Sequence, residues 1–187
     1  MRTPSSHDQR AQALFDRLAP EVVARMSDVQ ATRARGLLRE LLSQWAYEAG
    51  AHEGSDAIYD ILEQDLRTEI AGKGADQRFD VLWGNVLTRR LRDVSGATFA
   101  LGQRVIDGTV ADAEAKARGR ELLSQTEVLA AEVRTIVDGE RRLVLERQVQ
   151  DAMLEALYAI EGKAMSRRLD RYRLDGHGAM PKPNVTP

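Results

Sequence analysis

Cysteine is absent from all 187 residues. That removes disulfides, thiolate zinc sites, iron–sulfur ligation and cysteine nucleophiles from the chemistry open to the chain. It fits a reducing compartment. Histidine is nearly as scarce, at three, and aromatic residues make up 5%. No run approaches the ~18 apolar residues of a membrane span. Charges such as Arg2, Asp8, Arg10, Asp16 and Arg17 break up the first 30 residues, leaving no apolar signal core. The expectation is a cytoplasmic protein with no membrane partner. Val and Ile together number 20, too few for a sheet protein of this length.

What the chain does have is helix formers. Ala, Leu, Glu, Gln, Arg, Met and Lys account for 102 of the 187 residues. The predicted fold is all-α: a helical bundle with a long C-terminal helical hairpin or coiled-coil arm. The net charge of −2 argues against a surface that binds polyanions throughout, but leaves room for a local basic patch. Arg outnumbers Lys 23 to 4. Two explanations stand: guanidinium recognition of phosphate or carboxylate, or the codon bias of a GC-rich bacterial genome.

Hydrophobic spacing marks out the first half. Leu14, Phe15 and Leu18 define a short helix, and Pro20, which is comfortable only at a helix start, opens a new segment near Ala19. Ala34, Leu37, Leu38, Leu41, Leu42 and Trp45 recur at three and four spacing. The next helix runs from Asp56 to Ala71, capped by Ser55, with Ile58, Ile61, Leu62 and Leu66 as its apolar side. A fourth helix spans Asp76 to Val94 and is stopped by Ser95-Gly96. The predicted core holds Leu38, Leu41, Trp45, Ile58, Leu62, Phe79, Trp83 and Val86. These elements form a bundle over residues 1–108.

Residues 109–174 read as the long hairpin or arm, and 175–187, with three Pro and two Gly, as a flexible tail. Thr109 and Asp112 resemble a capping box. Ala115, Gly119, Leu122, Thr126, Leu129, Val133 and Ile136 then step by 4 and 3 in a heptad seam. Leu145, Val149, Met153, Ala156, Leu157 and Ile160 continue an apolar stripe beyond Asp138-Gly139. A turn at that dipeptide gives an antiparallel hairpin. A straight helix would be a rod of roughly 100 Å needing a partner along its length, and the hairpin is preferred. The hexamer Arg39–Gln44 recurs at Arg120–Gln125, but the flanking residues do not match, so this is coincidence between helices.

Candidate chemistry is sparse. His52, Glu53, Asp56, Asp60 and Glu63 are the one acid-plus-His concentration, but Arg67 follows Glu63 by one turn, the arrangement of a solvated ion-paired face. Gly72-Lys73-Gly74 is too short for a phosphate loop. No catalytic constellation, cofactor motif or metal-ligand spacing is found. Arg90 falls within the Phe79–Trp83–Val86–Val94 stripe and must either pair or snorkel. Residues 21–38 faintly resemble a helix-turn-helix with Arg33, Arg35 and Arg39 on its second helix. Lys163, Arg167, Arg168, Arg171 and Arg173, opposed by Asp170 alone, form a local basic stretch that suits phosphate or a helix C-terminus.

The expected function is therefore a non-catalytic protein–protein interaction module. It self-associates through Leu122, Leu129, Val133 and Ile136, as a homo-oligomer or with a protein partner. The alternative is a small nucleic-acid-binding accessory or regulatory protein using the basic C-terminal helix. A further alternative is an α-helical enzyme or ligand-binding bundle.

Overall fold

The computed structural model describes residues 6–51 and 57–161. Every regular element among them is an α-helix: α1 (Ser6–Val23), α2 (Asp28–Ala51), α3 (Ala57–Ile70), α4 (Ala75–Ile106), α5 (Asp112–Val133) and α6 (Gly139–Glu161). The protein is all-α. None of these helices is long and apolar enough to cross a membrane. They divide into two compact units, the first within Met1–Arg89 and Thr135–Arg142, the second within Arg90–Arg134 and Leu143–Pro187.

In the first unit α1 packs mainly on α2 and more lightly on α3. Leu14, Leu18 and Val22 of α1 meet Leu38, Leu41, Leu42 and Trp45 of α2, Tyr59, Leu66 and Ile70 of α3, and Leu82 and Val86 of α4. Each such leucine contributes about 1.5–3 kcal/mol by leaving water. Pro20 does not begin a helix; it sits inside α1. Its ring lies on the exposed side, so the carbonyl it deprives of an amide faces water, while the buried Leu18, Ala19 and Val22 hold the last turn in place.

On α3 the buried line is Tyr59, Leu62, Leu66 and Ile70, with Leu62 only half covered. Ile58, expected in the core, and Ile61, expected on the apolar side of this helix, are 37% and 58% exposed. They stand on the flank of the stripe that Tyr59 sets, because one residue is a 100° rotation. Phe79 and Trp83 are partly buried against the same core.

Helix ends explain several turns. Gly72, just beyond α3, has φ 69°, and Arg25, beyond α1, has φ 62°. Glycine takes this left-handed conformation without a Cβ clash. Arg78 supplies the positive charge that the last turn of α1 lacks. Its guanidinium donates to the carbonyls of Val22 at 3.0 Å, Ala24, and Lys73 at 2.6 Å.

In the second unit α4 continues straight through Ser95-Gly96, where the sequence predicts a stop. One helical Gly costs only ~1 kcal/mol against Ala. Burial of Thr98, Leu101 and Val105 outweighs that. Leu101 and Val105 cluster with Ala115 and Leu122 of α5 and with Ala156 and Ala159 of α6. Ala111, without a side-chain bond, caps α5 in place of a Thr109–Asp112 box. The Thr109 hydroxyl instead bonds the Arg104 carbonyl at the end of α4.

α5 and α6 are separate helices. Gly119 lies against the Ala156 carbonyl and Ile160, so the two run antiparallel. The buried side of α6 is Leu145, Val149, Ala152, Ala156, Tyr158 and Ala159, with Met153, Leu157 and Ile160 only half covered. Small residues therefore replace the larger ones expected there, which allows close approach of the helices.

Candidate functional site

Charge and hydrogen bonding concentrate at one place in the first unit, where residues 135–142 meet α4. Both Asp80 carboxylate oxygens accept backbone amides, of Val137 and Asp138, each at 3.1 Å. Asp138 caps α6 by accepting the amides of Arg141 and Glu140. The Arg141 amide, then that of Glu140, holds the Asp138 carboxyl below its ordinary range. Arg141 crosses Gly84, where any Cβ would strike its side chain. It donates to the Val81 carbonyl at 2.9 Å and to Glu69 at 3.2 Å. Trp83 donates to the Thr135 hydroxyl at 3.0 Å. A cleft of about 260 Å³ opens beside this clasp, lined by Lys73, Asp76, Gln77, Asp80, Val81, Val137, Asp138 and Arg141. Asp80, Asp138 and Arg141 bond backbone groups there, so the arrangement is a joint of the fold. Among the described residues that line the cleft, none is a nucleophile with an adjacent base.

A second polar network ties α1 to α3. Glu63 takes Arg17 at 2.6 Å and Arg67 at 3.0 Å, and Arg67 also reaches Glu21 at 3.1 Å. The Arg17 hydrogen bond lowers the Glu63 carboxyl below its ordinary 4.5. A depressed carboxylate stabilises the fold above its unfolded pKa, and that contribution is lost as pH falls through the lower folded value. Stability should therefore decline below about pH 4.5, and Glu63→Gln should flatten that decline. Urea melts at pH 7 and pH 3 measure it. Equal pH slopes in both proteins would assign the network no role.

Glu63, part of the acid-plus-His concentration, is thus ion-paired, as its spacing to Arg67 leads one to expect. His52, Glu53 and Asp56 lie outside the described residues. Among the described residues no group of three or more His, Asp or Glu is placed to hold a metal ion. Two of the three suggested helix-turn-helix arginines lie over rings, Arg33 at 5.3 Å from the Phe79 centroid and Arg39 at 4.7 Å from that of Phe15, while Arg35 is exposed. Arg90 is half-exposed and pairs with Glu132 at 3.5 Å, while its neighbour Leu91 takes the core position. Lys163, Arg167, Arg168, Arg171 and Arg173 lie outside the described residues.

The heptad seam is used up within the chain. Ala115, Gly119, Leu122, Thr126, Leu129 and Val133 are all buried, as is Ile136. The Thr126 hydroxyl is satisfied by the Leu122 carbonyl.

Four of the apolar side chains left uncovered lie on the other side of the second unit, apart from Val128 and Val144, which are also exposed. Thr98 bonds Glu155 at 3.0 Å, and Gly102 lies beneath Tyr158, so α4 and α6 run parallel there. At 100° per residue, Phe99 stands roughly 80° from the α6-facing side of α4, turned away from α5. Leu154 stands roughly 70° from the α4-facing side of α6, again away from α5. Ile106 falls in line with Phe99, and Leu143 with Leu154. All four are half-exposed, at 49% for Phe99, 46% for Ile106, 53% for Leu143 and 46% for Leu154. The sequence stripes missed this outer face because its apolar residues alternate with Arg92, Gln103, Arg147 and Gln150.

No family model matches the chain, and no curated protein or solved structure matches it either.

Proposed function

We propose that this chain is a non-catalytic helical interaction module that self-associates through the outer face of the α4–α6 pair. The observation that carries this reading is the alignment of Phe99, Ile106, Leu143 and Leu154 on one side of two parallel helices, each about half uncovered. Together they offer roughly 350–400 Å² of apolar surface, close to the apolar share of a standard interface of ~800 Å² per partner. Leu122, Leu129, Val133 and Ile136 are already buried, so pairing draws on other side chains. The setting we assign is a bacterial cytoplasm, in keeping with the Arg-rich, Lys-poor composition.

Sedimentation velocity across a wide concentration range tests the reading. The wild type is expected to shift from monomer to dimer, and the double variant Phe99→Glu/Leu154→Glu to stay monomeric with unchanged helical circular dichroism. A wild type that remains monomeric at every concentration overturns it.

A further inference from the structure

The outer face of α6 is self-complementary in charge. Arg147, Leu154 and Glu161 are exposed and spaced seven residues apart. Seven residues fall only about 20° short of two helical turns, so the three share one stripe. Arg147 stands about 10 Å to one side of Leu154 and Glu161 about 10 Å to the other. A twofold interface brings the same patch of each copy together, so that residue i meets j and j meets i. An antiparallel pairing centred on Leu154 sets Arg147 opposite the partner's Glu161, twice by symmetry.

The other twofold arrangement fits less well. An axis parallel to the helices would bring α6 against α4 of the second copy. Because Thr98 is level with Glu155, Arg147 is nearly level with Arg92 on the same outer face. That arrangement would bring arginines from the two copies close together, and like charges across an interface are unfavourable.

We infer that two copies of this chain dock with their α6 helices antiparallel about Leu154, Arg147 of each pairing with the partner's Glu161. This rests on the self-association proposed above and fixes its register. The central contact is Leu154 with Phe99 beside it, and the two ion pairs flank that apolar centre. Such flanking pairs set register and partner choice more than they set affinity.

A charge-swap cycle at low salt tests the register. Arg147→Glu and Glu161→Arg should each weaken dimerisation about tenfold, since each replaces two attractions with two repulsions. The combined variant Arg147→Glu/Glu161→Arg should return to within about threefold of the wild type, and added salt should shrink all the differences. Both positions are exposed, so circular dichroism should stay constant throughout. A wild type that dimerises while the single reversals leave its affinity unmoved overturns this register and leaves self-association standing. Failure of the combined variant to recover overturns it as well. A wild type monomeric at every concentration removes both.

Discussion

Trp45→Ala is expected to lower the unfolding free energy by about 3–5 kcal/mol, the range for deleting a buried aromatic side chain. Trp45 is 7% exposed and belongs to the cluster joining α1, α2, α3 and α4. Trp83→Ala should cost less, because Trp83 is only partly buried and its indole N–H bonds Thr135 near the surface. Chemical denaturation followed by circular dichroism gives both values. Fluorescence supplies a second reading, because the emission left in the Trp45→Ala protein should be redder than that of the wild type. If the two substitutions reverse in rank, the packing assigned to α2 is wrong.

Leu129→Asp should be equally damaging, and for a reason that separates two views of the seam. Leu129 is 6% exposed in a single chain. A carboxylate placed at this buried position loses its water, which costs several kcal/mol. The expected result is loss of helicity and a lowered melting temperature at every protein concentration. Were the seam instead an interface between copies, the variant would be a well-folded monomer with an unchanged thermal midpoint. Sedimentation and thermal melts on the same samples distinguish the two.

The seam also shows what heptad spacing records. Ala115, Gly119, Leu122, Thr126, Leu129 and Val133 are legible as one buried line because every step is three or four residues. Spacing does not say whether the covering helix belongs to the same chain. The contact of Gly119 with Ala156 and Ile160 provides that helix within the chain.

Elsewhere structure and sequence part for local reasons. The apolar pattern puts Ile58 in the core because isoleucine is usually buried, yet Tyr59 and Ile70 fix the phase of α3. Ser95-Gly96 reads as a stop because propensity is local, while the burial of Thr98 and Leu101 depends on other helices, on Glu155 for Thr98 and on Ala115, Leu122, Ala156 and Ala159 for Leu101. Asp138 was legible as part of a turn, but its capping of α6 and the anchoring of its own amide on Asp80 were not, since Asp80 is 58 positions earlier. The outer α4–α6 face becomes visible only once the two helices are placed side by side.

The clasp on α4 carries a consequence for synthesis. Asp80 receives its two amides from Val137 and Asp138, and Val81 and Glu69 receive Arg141. A ribosome delivers these donors more than 50 residues after their acceptors, and adds about 20 residues before the described helices end. The first unit can therefore collapse around Leu38 and Leu82 early in translation, but its last hydrogen bonds wait until residue 141 of 187 has been made. Such distant closures slow the final ordering step relative to local helix formation. Neither compact unit corresponds to an uninterrupted stretch of the gene, so no single cut in the coding sequence would release one of them intact.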